Sequence, residues 1–69
     1  MKPLRRRELV RKLRALGWTG PKQRGKHPYM ERGEDSLGIP NEHGEDISVS
    51  LQMKILRHGG ITKKQWEDA

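Results

Sequence analysis

The chain has no cysteine and no phenylalanine, and its aromatic residues are two tryptophans and one tyrosine. The lack of cysteine excludes disulfides and thiolate-ligated zinc as stabilising devices. A chain of this size buries only about 60% of its unfolded surface, so residues 1–69 are expected to form one domain with a small core. We expect Trp18 and Trp66 to be needed in that core rather than for stacking on bases. No apolar run reaches the ~18 residues that a membrane-spanning helix requires.

Positive charge, in contrast, is abundant. Fifteen Lys and Arg against nine Asp and Glu give a net charge of +6. This excess favours polyanionic partners such as nucleic acid, although a basic surface can also serve solubility alone. Residues 1–4 lead into arginines and not into an apolar segment, so we expect no secretory signal and a cytoplasmic protein with no membrane partner.

The first periodic segment predicts an amphipathic helix that ends at Gly17. Its apolar stripe consists of Leu9, Val10, Leu13 and Leu16. Three arginines fall on the opposite face: Arg7, Arg11 and Arg14. Arg5 to Arg7 occupy or precede the first turn, where cations oppose the helix dipole, and this local cost favours a phosphate-contacting helix over a merely solvated face.

Three short strands are predicted next, at 18–23, 27–32 and 37–40. The turns between them are predicted at Arg24-Gly25-Lys26 and at Gly33 to Ser36. Pro21 and Pro28 lack a ladder donor, which favours edges, strand starts or bulges for both.

A polar loop at 41–47 precedes a second helix, for which Ser48 is the predicted N-cap and Gly59-Gly60 the predicted end. Apolar residues cover more than half of its circumference, so we expect it to lie between layers or to cover a partner. A capping-box pattern, Thr62-x-x-Gln65, opens a last turn that carries Trp66.

This order of elements predicts an α+β domain. Consecutive short strands with tight turns favour a three-stranded antiparallel sheet with both helices on one face. The order α-β-β-β-α is that of a double-stranded RNA-binding domain, and we expect that fold.

His27 lies at a glycine turn, surrounded by three cations: Lys22, Arg24 and Lys26. Histidine can both accept and donate a proton near neutral pH, and the cations attract phosphate. His27 is therefore the candidate catalytic residue and the three cations are candidate phosphate ligands. On the residues alone, an exposed turn histidine without a function and a solvated basic turn remain open.

The chain resembles the HicA-type toxins, the small ribonucleases of bacterial toxin–antitoxin pairs. Four segments in this order carry the resemblance: Leu13-Arg14-Ala15-Leu16-Gly17-Trp18, Gln23-Arg24-Gly25-Lys26-His27, Ile39-Pro40-Asn41-Glu42-His43-Gly44 and Ile55-Leu56-Arg57-His58-Gly59-Gly60-Ile61-Thr62. The resemblance implies a toxin that cleaves messenger RNA, a HicB-type antitoxin that covers the active site, and His27 as the active-site histidine. Lys26 stands where serine is common in the family, and Pro28 directly follows the histidine.

The implied reaction is metal-independent and needs no cofactor. The ribose 2′-hydroxyl attacks the adjacent phosphate, and His27 acts as the general acid–base residue. We expect the free protein to be a monomer. Two other classes stay open: a non-catalytic nucleic-acid-binding module that uses the arginine face, and an interaction protein that docks a partner through its second helix.

Two further residues are secondary candidates. His43 matches a second histidine of the family pattern and lies among carboxylates that could bind a divalent cation. Its spacing matches no known metal site, so we favour a role in holding the loop. Tyr29 could point outward from the second strand and contact RNA.

Overall fold

A computed structural model describes residues 1–40 and 46–69, and in it the chain folds in the order α-β-β-β-α-α. The elements are α1 (Arg6–Ala15), β1 (Thr19–Arg24), β2 (His27–Arg32), β3 (Asp35–Gly38), α2 (Val49–Gly59) and α3 (Lys63–Asp68). The strands form an antiparallel sheet in the order β1-β2-β3, and the helices pack against it. This arrangement confirms the α+β fold of the double-stranded RNA-binding-domain type.

The α1 helix follows the predicted pattern closely. Leu9, Val10 and Leu13 are buried, and Leu16 packs against the core from the C-cap position. Gly17 has φ +94 and donates its N–H to the Arg14 carbonyl at 3.0 Å, so it ends the helix as expected for a C′ glycine.

The two tryptophans belong to the core, as predicted. Trp18 is 2% exposed and Trp66 is 1% exposed. The Arg32 guanidinium lies 4.7 Å from the centre of the Trp18 ring. With both rings buried, neither tryptophan is available to stack on a base.

The β1–β2 hairpin differs from the predicted one. Arg24 is the last residue of β1 and pairs with His27, so the turn contains only Gly25 and Lys26. Gly25 takes φ +59, which a glycine adopts without strain in so tight a turn. The predicted three-residue turn at 24–26 is therefore wrong, and its cause is an extra residue further back in β1.

That extra residue is a β-bulge. Thr19 pairs with Glu31 and Lys22 pairs with Tyr29, so three steps along β1 match two steps along β2. The bulge contains Gly20 and Pro21, in agreement with the prediction that Pro21 belongs at an edge or bulge. It shifts the register by one residue, which moves Arg24 from the turn into the strand.

The third strand begins earlier than predicted. Asp35 pairs with Arg32 and Ser36 with Glu31, so the second turn is Gly33-Glu34 and the strand ends at Gly38. Beyond it, the Ile39 N–H donates to the Pro28 carbonyl at 3.1 Å. Pro28 is buried as the second residue of β2 and pairs with Gln23, so it lies near a strand start, one of the places predicted for it.

The α2 helix has the predicted cap and end. The Ser48 hydroxyl accepts a hydrogen bond from the Leu51 N–H, and Gly60 takes the left-handed conformation at φ 64. The buried side of α2 is narrower than the arc of apolar residues, because Leu51 (36% exposed) and Met53 (41% exposed) lie at the two edges of that arc. The buried side includes Gln52, a polar residue that the sequence did not mark as part of the core.

Gln52 connects three segments. Its side-chain N–H groups donate to the carbonyls of Lys2 (2.7 Å) and Ile47 (3.1 Å), and its oxygen accepts from Trp66 Nε1 at 3.0 Å. Ile47 also forms an antiparallel bridge with Leu4. Since every polar group of this amide has a partner, Gln52 can be buried at 1% exposure without an unmet hydrogen bond. The capping box of Thr62 and Gln65 then starts α3 as predicted.

Candidate nucleic-acid interface

One face of the sheet is covered by helices and the other is open. Pro28, Met30 and Leu37 are buried on the covered face. Side chains alternate along a strand, and directly paired residues share a face. The uncovered face, called the open face below, therefore carries Thr19, Lys22, Arg24, His27, Tyr29 and Glu31.

His27 and Arg24 close the hairpin on the open face. They are direct cross-strand partners and both are exposed. Directly opposed residues have their Cβ atoms about 4.5–5.5 Å apart, so the imidazole and the guanidinium can reach one bound phosphate. This pair brings an imidazole and a permanently charged guanidinium to the same place.

Tyr29 is two residues beyond His27 on the same strand and face. The guanidinium of Arg24 lies 5.1 Å from the centre of its ring, a cation–π contact that runs diagonally across the hairpin. Its half-buried ring continues the open face beyond His27, as expected for an outward-pointing Tyr29.

Lys22 has an acidic partner that the residues around the histidine turn do not predict. Its ammonium donates to the Glu31 carboxylate in an exposed salt bridge. This hydrogen bond, with the attraction of the Glu31 charge, raises the pKa of Lys22 above its ordinary value. Residues 27, 29 and 31 alternate onto one face of β2, and this spacing was the available signal for Glu31.

Lys26 lies in the two-residue turn and is exposed next to His27 in the sequence. It is the third predicted cation of the histidine turn. The structure thus gathers Lys22, Arg24 and Lys26 along one hairpin, with Arg24 opposite the histidine and Lys22 one pair further along the open face.

The arginines of α1 form a separate surface. Arg7, Arg11, Arg14 and Arg6 line a groove of about 510 Å³ with Val10 and Pro21. Arg11 pairs with Glu8 at 3.0 Å. The groove lies between α1 and the β1 bulge, so it adjoins the edge of the sheet and is not on the open face with His27.

Arg14 differs from Arg7 and Arg11 because its guanidinium is bound to the backbone. Nε and Nη2 both donate to the Gly20 carbonyl, at 2.9 Å and 2.7 Å. Helical spacing groups Arg14 with Arg7 and Arg11, because it contains no information on the strand that packs beside α1.

Residue 43 falls outside the described residues, so the secondary role predicted for His43 remains a prediction. Within 1–40 and 46–69, no three His, Asp or Glu side chains lie close enough together to hold a metal ion. No helix of the described ranges is both long and apolar enough to cross a bilayer.

The fold and the open face define a small basic α+β domain of the double-stranded RNA-binding-domain type, with an exposed histidine on the uncovered sheet. Residues 6–61 match the family model described as HicA toxin of bacterial toxin–antitoxin. The chain therefore belongs to the HicA toxin family, which implies an antitoxin partner. No curated protein and no solved structure matches the chain.

Proposed function

We propose that this toxin is an endoribonuclease that cleaves messenger RNA without a metal ion, with His27 as its acid–base residue. The observation that carries the proposal is the His27–Arg24 pair, exposed at the end of the open face within the segment that matches the family. A phosphate bound there would have a proton acceptor and a positive charge on one side. The exposed position leaves room for a polymeric substrate.

The reaction that fits this pair is internal transesterification. The 2′-oxygen attacks the adjacent phosphorus while the bond from phosphorus to the 5′-oxygen breaks, giving a 2′,3′-cyclic phosphate and a 5′-hydroxyl end. His27 takes the proton of the 2′-hydroxyl as general base, a role worth on the order of 10² to 10⁴-fold. The 5′-oxygen receives a proton from water or from the protonated imidazole of His27.

Arg24 is suited to stabilise the charge that develops on the phosphorane. Its guanidinium cannot lose its proton near neutral pH, and it offers several N–H donors to phosphate oxygens. Lys26 and Lys22 would extend the positive charge to neighbouring phosphates, Lys22 in competition with its Glu31 partner. Tyr29 would contact a base or ribose beside the scissile bond.

The arginine groove would bind the RNA backbone further along the strand. Arg7 and Arg11 have exposed side chains there, and the Arg11–Glu8 pair is exposed on both sides, so a phosphate can displace the carboxylate at little cost. Because β1 is an edge strand, one RNA chain could pass over it from the open face into the groove.

The antitoxin, on this proposal, inhibits by covering the open face. Carboxylates of an acidic, HicB-type partner would replace the phosphates at Arg24 and Lys26 and exclude RNA from His27. A complex in which the His27 turn stays open to solvent would contradict this mechanism.

The proposal is tested by incubating the pure protein with a labelled RNA in excess EDTA, beside His27→Ala and His58→Ala. His58 is the matched control because it is an exposed histidine at the far end of α2. We expect fragments with 2′,3′-cyclic phosphate ends from the parent and from His58→Ala, and none from His27→Ala. A 2′-deoxy substitution at the cut site should block cleavage.

Any other outcome of this experiment would contradict part of the proposal. Cleavage by His27→Ala would remove the assigned role of His27. Intact RNA with a salt-sensitive gel shift would indicate a non-catalytic binding module, the alternative that the basic groove favours. Neither cleavage nor a shift would indicate a protein that acts only through a protein partner.

A further inference from the structure

Given the Thr19–Glu31 pair, the bulge in β1 decides whether Lys22 and Arg24 share a face with His27. If β1 continued from the Thr19–Glu31 pair without an extra residue, positions 21 and 23 would point to the open face, and Lys22 and Arg24 would point towards the helices. With the bulge, Lys22 pairs with Tyr29 and Arg24 with His27. The contact of Lys22 with Glu31 and that of Arg24 with the Tyr29 ring confirm this orientation.

Local sequence permits the bulge at Gly20. Gly20 lies in it at φ +122, and a Cβ at this position would come within 3.0 Å of the Lys22 nitrogen, so glycine permits the conformation. Glycine is also the residue with the most alternative conformations. A contact from outside the strand can therefore help to select the bulged one.

Arg14 makes that contact. Its guanidinium donates two hydrogen bonds to the Gly20 carbonyl. These bonds connect the last turn of α1 to the bulge. Hydrogen bonds from a charged donor are stronger than neutral ones, and two from one planar group fix a direction as well as a distance. The same donors are then not free to bind a phosphate.

We infer that Arg14 is a positioning residue that holds the β1 bulge and thereby keeps Lys22 and Arg24 on the face of His27. For catalysis this inference rests on the proposed function, because the cations matter there as phosphate ligands. For structure it stands separately, since the face of Lys22 can be observed without RNA.

The test compares Arg14→Lys and Arg14→Ala with Arg11→Ala and Arg7→Ala, which remove a charge from the same helix without removing the hydrogen bonds to Gly20. The structural readout is the NMR cross-peak between the side chains of Lys22 and Glu31, together with the pKa of the Lys22 ammonium. Both Arg14 variants should weaken the cross-peak and bring this pKa back towards its ordinary value. The Arg11 and Arg7 variants should leave both unchanged.

The kinetic readout is RNA cleavage by the same four variants. Misplacing reacting groups by about 1 Å can cost on the order of 10²-fold, so we expect kcat to fall by about that factor for Arg14→Lys although its charge is retained. Arg11→Ala and Arg7→Ala should act mainly on KM, as expected for contacts to flanking phosphates.

Two results would overturn the inference. One is an unchanged Lys22–Glu31 cross-peak in Arg14→Lys, a variant that keeps the charge. The other is a change in KM alone for Arg14→Ala that is absent in Arg14→Lys, which would make Arg14 a phosphate ligand. If the parent does not cleave RNA, the proposed function fails, while the cross-peak still decides whether Arg14 holds the bulge.

Discussion

The ammonium of Lys22 and the carboxylate of Glu31 form a salt bridge across β1 and β2, on the open face of the sheet. The pair reduces the positive charge on the face where we propose that RNA binds. On the proposed function, a phosphate that binds Lys22 must displace Glu31, so this carboxylate would lower the affinity for RNA.

Removing this carboxylate should tighten RNA binding. Glu31→Gln frees Lys22 for a phosphate, and one additional phosphate contact steepens the dependence of log K on log salt by about 0.7 for single strands. The measurement is a salt titration of RNA affinity by fluorescence anisotropy with the inactive His27→Ala variant as background. Glu34→Gln is the control with the same charge change in the exposed turn between β2 and β3; equal steepening in both would contradict a local effect.

The same pair should make a small contribution to stability that depends on pH. Folding raises the pKa of Lys22 above its ordinary value of 10.5, chiefly through the hydrogen bond to Glu31. The contribution is therefore fully present below about that pH and is lost as pH rises through the folded-state pKa. Urea unfolding between pH 8 and pH 12 should show a steeper decline for the parent than for Glu31→Gln; parallel curves would argue against the pair.

Arg24 should contribute to the chemical step more than its neighbour in the turn. Removing a group that stabilises transition-state charge commonly costs on the order of 10²-fold in kcat, and we expect Arg24→Gln to approach this value. Lys26→Gln also removes one positive charge, from a residue that Gly25 separates from Arg24 in the sequence. We expect this variant to raise KM more than it lowers kcat. Single-turnover cleavage at saturating protein separates the two effects, and equal losses of kcat would contradict the special position opposite His27.

Gln52 should matter for stability and not for RNA. Gln52→Ala leaves Trp66 Nε1 and the Lys2 carbonyl without their buried partner, at a cost of about 1–3 kcal/mol. For a domain of this size each kcal/mol lowers Tm by about 4–8 °C. Gln23→Ala, which removes an exposed amide bonded to the Gly25 carbonyl, is the matched control and should change Tm little. A Tm that is equal in both variants would rule out the network.

Gly20 should resist substitution more than Gly38. A Cβ at Gly20 meets the Lys22 nitrogen, the Tyr29 carbonyl and the Met30 side chain at 3.0, 3.2 and 3.3 Å, with φ at +122. We expect Gly20→Ala to cost about 1–3 kcal/mol through backbone strain. Gly38→Ala has open space around its new Cβ and should be close to neutral. Chemical denaturation of both variants checks this difference, and a neutral Gly20→Ala would show that the bulge is not required.

Much of the framework could be predicted from local patterns. The apolar spacing of α1, the serine cap of α2 and the capping box of α3 depend on residues a few positions apart. The local sequence is therefore enough to predict them. The third strand was predicted two residues late, because the Gly33-Glu34 turn is tighter than the polar run around it indicated.

The site could be predicted only in part. His27 at the glycine turn, with cations on both sides, follows from the order of residues, and the match to the HicA family covers that turn. The local signals did not contain the partners: Glu31 for Lys22, the Gly20 carbonyl for Arg14, and Trp66 for Gln52. Each of these contacts joins two different elements of secondary structure.

By itself, then, the sequence determined the order of elements, their caps, the core tryptophans and the histidine turn, because these depend on neighbouring residues. The tertiary structure decided which cations accompany His27. Strand alternation with no bulge would turn Lys22 and Arg24 away from His27, and the bulge held beside α1 turns them towards it. A one-residue change of register reverses the face of every side chain that follows, and this choice depends on packing between α1 and β1.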